Sequence, residues 1–159
     1  NVNDRNDAYG GLVENRIRFA SELLKSVIKK IGNDRLMVRI SPSRMMGGLY
    51  EWPDMMNVLK KLLKEFDLYG LRQLDISCAN SNYFETSGKV INLIKKQWPH
   101  LLIGGASLTI TEAENEITEG NLDMITWGRA ILANPDFVKL VKKGLPLKDF
   151  DNSMRESLI

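Results

Sequence analysis

Apolar residues recur at helical spacing from Leu12 to Ile31: Leu12, Val13, Ile17, Ala20, Leu23, Leu24, Val27, Ile28 and Ile31 share one face. Gly32-Asn33 stops this amphipathic helix. The period then changes. Leu36-Met37-Val38-Arg39-Ile40 reads as a strand, closed by Ser41-Pro42. Residues 43–52 read as a glycine-containing loop with Tyr50 and Trp52, and Pro53 suits the first turn of a second helix. That helix runs through Met55, Met56, Leu59, Leu62, Leu63 and Phe66, and Gly70 ends the unit. Gln73 to Ser77 is the second strand, Cys78 to Glu85 a polar loop with Tyr83-Phe84, and Ser87 to Trp98 a third amphipathic helix broken by Pro99. Leu101-Leu102-Ile103 is a short buried strand leading into Gly104-Gly105-Ala106-Ser107. Either Thr109 with Glu112 or Thr111 with Glu114 forms a capping box for the next helix, which ends at Gly120. Met124 to Trp127 is the last strand; Gly128-Arg129 and a short linker follow. Asn134-Pro135 reads as cap and first turn of a final helix reaching about Lys143, and residues 147–159 as a poorly ordered end or a short terminal helix.

One helix followed by four strand–helix units implies an α/β fold with a parallel sheet and right-handed crossovers. Two architectures fit: an open doubly wound sheet, or part of a (β/α)8 barrel. The 159 residues suffice for one domain, and the 43% apolar and 26% charged content is that of an ordinary globular chain. A formal net charge of +2 demands neither nucleic acid nor an anionic membrane. The single cysteine, Cys78, excludes an intrachain disulfide framework and fits a reducing compartment, here expected to be the cytoplasm. No apolar run approaches the roughly 20 residues of a membrane helix, and the polar first residues show no signal peptide. The start on Asn1 rather than methionine fits a fragment or a processed product.

Parallel sheets place functional groups just after their strands. That rule collects Arg39, Ser41, Ser77, Asn80, Gly104, Gly105, Ala106, Ser107, Gly128 and Arg129. Glycine, serine and arginine together suit an anion held by backbone N–H groups and a guanidinium fork. Gly128-Arg129 taken alone fits an anion site or an ordinary turn with a surface arginine. Arg39, inside a short apolar run, either faces a ligand at the strand's mouth or lies on a solvated face. Asp75, between Leu74 and Ile76, is a candidate structural partner for an arginine. Chemistry beyond binding is poorly supplied. His100 stands at the start of a strand, away from the functional end, and Cys78 has no histidine near it in that ring, so no catalytic residue is assigned. One histidine and one cysteine make no metal-ligand cluster.

The segment Asp7-Ala8-Tyr9-Gly10-Gly11-Leu12-Val13-Glu14-Asn15-Arg16-Ile17-Arg18-Phe19 resembles the D-x-Y-G-G-S-x-E-N-R-x-R-F segment of the old yellow enzyme family of flavin-dependent ene-reductases. The resemblance continues through Val38-Arg39-Ile40-Ser41-Pro42, Ile103-Gly104-Gly105, Trp127-Gly128-Arg129 and Ile131-Leu132-Ala133-Asn134-Pro135-Asp136, in the family's order over nearly the whole chain. It implies a (β/α)8 barrel binding FMN at the carboxyl ends of its strands. Residues 1–159 would be its second half, four strand–helix units preceded by one helix. Arg39 would contact the flavin's pyrimidine edge. Gly105, Ala106 and Ser107 would hold the phosphate through their backbone, and Gly128 and Arg129 would form the second phosphate segment. Glu14-Asn15-Arg16 would be structural. NAD(P)H would be the reductant and an activated alkene or similar small molecule the acceptor.

The sequence departs from the family at Leu12, where a serine is usual, and at Gly-Gly-Ala-Ser, where many members have Gly-x-Gly. The family's N-terminal half is absent. It supplies the His-Asn or His-His pair that grips the substrate carbonyl, the tyrosine proton donor and the residues near flavin N5. The isolated chain is therefore expected to be inactive. Two alternatives stand beside an FMN-binding half: a non-catalytic half-barrel that self-associates or pairs with an N-terminal half, and an open α/β phosphate-binding protein unrelated to flavin.

Overall fold

The computed structural model describes residues 3–45, 47–78 and 81–155. The opening helix, α1 (Val13–Ile31), buries Ile17, Ser21 and Leu24. It packs against α2 (Met55–Leu68), whose buried face is Leu59, Leu62, Leu63 and Phe66. Ion pairs join Glu14 to Lys61 and Arg16 to Asp54 (3.3 Å), so the Glu14-Asn15-Arg16 stretch ties α1 to α2 and the turn before it. Between the two helices lie β1 (Val38–Ile40) and an antiparallel hairpin of β2 (Ser43–Met45) and β3 (Leu49–Glu51). The expectation was a plain loop at 43–52. Pairing of Ser43 with Glu51 and Met45 with Leu49, and a bond from Trp52 N to Pro42 O (2.8 Å), make it a closed hairpin.

The remaining elements are β4 (Gln73–Ser77), α3 (Ser87–Ile94), β5 (Leu101–Gly105), α4 (Ile110–Thr118), β6 (Met124–Ile125), α5 (Arg129–Ala133), α6 (Phe137–Lys142) and a 3-10 turn at Asn152–Arg155. The main sheet has the order β1-β4-β5-β6 and every pairing is parallel. Hairpin aside, spatial order is chain order. A doubly wound sheet must reverse its order at a switch point, and none occurs here. Residues from α1, α2, α3 and α4 (Leu24, Phe66, Ile91 and Ala113 among them) join Leu74, Ile76 and Leu102 of the strands in one hydrophobic cluster. Strands laid down consecutively with their helices on one face are an arc of a (β/α)8 barrel. The four-stranded sheet is half of that barrel.

Several boundaries differ from expectation for local reasons. β1 starts at Val38 rather than Leu36, because only residues 38–40 find partners on β4. α2 starts at Met55, preceded by Asp54 in a left-handed conformation (φ 55°), so Pro53 lies in the turn rather than the first helical turn. α3 ends at Ile94, four residues before Trp98, whose indole donates to Leu101 O (3.2 Å). Thr109 and Glu112 form the capping box of α4: Glu112 N donates to Thr109 Oγ1 (3.3 Å) and Thr109 N to Glu112 Oε2 (2.7 Å). Tyr83, expected in a polar loop, is buried, and its hydroxyl donates to buried Glu116 of α4 (2.6 Å). The expected linker after Arg129 is helix α5. Asn134 does not cap the last helix, which begins at Phe137 after Asp136. Among the described residues no helix is long and apolar enough to cross a membrane.

Candidate functional site

β5 and β6 approach each other closely at their carboxyl ends. Thr126 N donates to Gly104 O (2.7 Å), and a Cβ on Gly105 would stand 2.5 Å from Thr126 O. Gly105 is thus required for strand packing, whatever else its backbone does. Beyond it Ser107 takes a left-handed conformation (φ 56°) that L-residues with side chains seldom adopt. Its hydroxyl accepts a hydrogen bond from Nη2 of Arg129, the first residue of α5. The two loops expected to share a ligand are therefore bonded to each other. Gly128, between β6 and α5, is different from Gly105. A Cβ there would meet no atom within 4 Å and would enter open space.

Arg39 and Asp75 sit opposite each other in the β1–β4 register. Arg39 donates from Nε (2.7 Å) to Asp75 Oδ2, and Nη2 lies 2.6 Å from the same oxygen. The carboxylate is completely buried, whereas 55% of the arginine side chain remains exposed. Asp75 is the structural partner expected of it. Because both contacts fall on Oδ2, Asp75 Oδ1 is buried without a partner among the described residues. Arg39 therefore has one edge fixed from below and the rest of its guanidinium open.

One cavity of about 330 Å³ gathers these groups. It is lined by Arg39 from β1, Ser77 at the end of β4 and Cys78 after it, Gly105 at the end of β5 and Ala106, Ser107 and Leu108 after it, and Thr126 to Ala130 after β6. All six residues expected to bind a cofactor, Arg39, Gly105, Ala106, Ser107, Gly128 and Arg129, face it. Ser41 does not line it, and Asn80 lies outside the described residues. Sequence reasoning missed Trp127 as a wall, where its ring stands against Phe137 (5.0 Å between centroids). It also missed Arg155, which reaches the cavity from the terminal 3-10 turn. His100 lies elsewhere, bonded to Asp67 (2.7 Å) and stacked edge-on against Trp98 (5.1 Å).

The cavity is cationic, with backbone and hydroxyl groups at one wall and a free space where Gly128 lacks a side chain. Such a cradle suits a phosphate monoester. Residues 1–148 match the model of the NADH:flavin oxidoreductase / NADH oxidase family. The chain belongs to this family. A curated relative, described as a probable flavin mononucleotide-dependent alkene reductase of Leishmania infantum, is 31% identical over 149 residues, which span 94% of this chain and 40% of the relative. Among solved structures, the old yellow enzyme homologue of Zymomonas mobilis superposes with a TM-score of 0.83 at 26% identity, covering 96% of this chain and 43% of that one. A morphinone reductase variant in complex with tetrahydroNAD gives 0.82 at 26% identity, covering 96% and 41%. The chain spans about two fifths of the length of these family members.

Proposed function

We propose that this chain is the C-terminal, flavin-holding half of an NAD(P)H-dependent flavin oxidoreductase. The observation that carries the reading is convergence. Six residues, taken from the ends of three strands separated in sequence, face one cavity with the polarity a flavin phosphate requires. Gly105, Ala106 and Ser107, with Gly128 and Arg129, would hold the phosphate of FMN, and Arg39 would stand by the ring. When bound, FMN supplies hydride transfer between NAD(P)H and an acceptor. The chain's own residues bind and orient. Arg129, bonded to Ser107, braces the two phosphate loops against each other. Arg39, fixed by Asp75, presents a cation that favours negative charge in whatever ring lies against it.

The alkene reductase description of the Leishmania relative supports an activated alkene as acceptor. The tetrahydroNAD complex of morphinone reductase supports a nicotinamide reductant. The chain spans about two fifths of these relatives' length, and on this reading it binds and orients the flavin without completing the reaction by itself. A single buried cysteine supports a cytoplasmic location. The test is titration of the purified chain with FMN, followed by flavin fluorescence and absorbance. Saturable spectral change is expected. No change, even after an N-terminal half-barrel is supplied, would sink the proposal.

A second reading concerns assembly. Among the described residues β1 pairs only with β4 and β6 only with β5, so each leaves one strand edge open there. Such edges favour a further half-barrel, either an N-terminal half or a second copy of this chain. Sedimentation across a range of concentrations separates association from a monomer; a monomer at every concentration argues against the second copy.

A further inference from the structure

We propose that Arg155 is a second phosphate-binding arginine, which together with Arg129 neutralises a dianionic phosphate monoester at this site. The proposal rests on the flavin reading and extends it beyond residues 1–148, the stretch that matches the family.

A phosphate monoester carries about −1.5 to −2 at neutral pH, and Arg129 supplies one positive charge. Arg155 lines the same cavity, and the two arginines also share an adjoining cleft with Phe150, Asp151 and Asn152. Among the described residues neither arginine is ion-paired with a carboxylate; the ion pairs involve Arg5, Arg16, Arg39, Lys61, Arg72 and His100. Among the described residues the carboxylate that lines this cleft, Asp151, is hydrogen-bonded within its own turn. It accepts from Ser153 N (2.9 Å) and Ser153 Oγ (2.5 Å), which closes the turn. Those same bonds lower its pKa and keep it anionic. Two guanidinium groups at one cavity, neither ion-paired among the described residues, repel each other unless an anion intervenes, and Asp151 in the adjoining cleft offsets at most one of the two charges.

The position of Arg155 is built rather than incidental. Asn134, almost completely buried, grips the terminal segment with both ends of its amide: Nδ2 donates to Lys148 O (3.0 Å), and Lys148 N donates to Oδ1 (2.9 Å). That tie brings the chain back over α5, against which the 3-10 turn packs. Within the turn, Met154 N donates to Asp151 O (3.1 Å), and the Arg155 guanidinium lies over the Phe150 ring at 5.5 Å. A cation over a ring in this way loses less freedom on meeting an anion than a fully mobile one. Asn134 therefore does more than end α5. It ties the segment whose far end is the second arginine.

The test compares FMN with riboflavin, which lacks the phosphate, in the wild-type chain and in Arg155→Ala and Arg155→Lys. An N-terminal half-barrel is supplied throughout if the chain alone takes up no flavin. Wild type should prefer FMN. Arg155→Ala should lose about tenfold in FMN affinity, the size of one charge-assisted contact, with riboflavin affinity and thermal midpoint unchanged. Arg155→Lys should recover part of the loss, and the salt dependence of FMN binding should weaken in the alanine variant. Retention of the wild-type FMN-to-riboflavin ratio by Arg155→Ala overturns this inference and leaves the flavin reading standing. Equal wild-type affinity for the two flavins overturns this inference and the phosphate cradle with it. Failure of wild type to bind either flavin overturns this inference and the flavin reading.

Discussion

Gly105 and Gly128 are one residue type used for opposite ends. An alanine at 105 would drive its Cβ to 2.5 Å from the Thr126 carbonyl. Gly105→Ala should destabilise the chain by about 1–3 kcal/mol, the usual cost of overpacking, measured by denaturant melts. An alanine at 128 meets nothing within 4 Å, at a position that lines the cavity. Gly128→Ala should lose much less stability than Gly105→Ala and should weaken FMN binding severalfold. Equal effects of the two substitutions on both measurements would show that the cavity at Gly128 is not a ligand space. Sequence alone grouped these glycines as one phosphate cradle. It could not separate them, because the distinction depends on how closely β6 approaches β5.

At the scale of elements, the pairing of β1 with β4 depends on an asymmetric ion pair. Removing Arg39 leaves Asp75 completely buried and uncompensated, whereas removing Asp75 leaves a guanidinium that water already reaches. Arg39→Ala should therefore cost on the order of 3 kcal/mol, and Asp75→Asn clearly less; thermal or denaturant unfolding of the two variants checks the order. The α3–α4 region carries a second buried polar contact. Burial and the Glu116 carboxylate push the Tyr83 phenol well above its ordinary value. In the unfolded chain tyrosine ionises near pH 10, so above that pH the unfolded state releases a proton that the folded state retains. Stability is complete below about pH 10 and falls as pH rises beyond it. Tyr83→Phe should lower stability at neutral pH by about 1–3 kcal/mol, by leaving Glu116 unpaired, and should flatten the alkaline decline. A decline of equal slope in the variant would rule out Tyr83 as its source.

Most elements were legible because periodicity is a local property. α1, α2, α4 and β4 lie within a few residues of where apolar spacing places them. The hairpin at 43–51 was not, since Ser41-Pro42 and Gly47-Gly48 are turn signals that hide two three-residue strands. Nor was α5, whose five residues are too few for a period to show. Asn134-Pro135 has the composition of a helix start, yet the Asn134 amide is taken by Lys148, a partner that lies outside any local window.

At the scale of the whole molecule, the rule that ligands lie beyond the carboxyl ends of parallel strands collects ten residues, from which the family resemblance selects the six expected to bind a cofactor. The rule stops where the strands stop, which is why Arg155 escaped it. The strand order has a further consequence for how the molecule is made. In the main sheet each strand after β1 pairs with one that has already been synthesised, so that sheet can grow in the direction of translation without waiting for later segments. Arg39 and Asp75 are therefore in place on paired strands before Arg129 and Arg155 are made. The proposed anion cradle assembles on a sheet already paired, so a ligand held there would act on a preformed β1-β4-β5 core rather than help to build it.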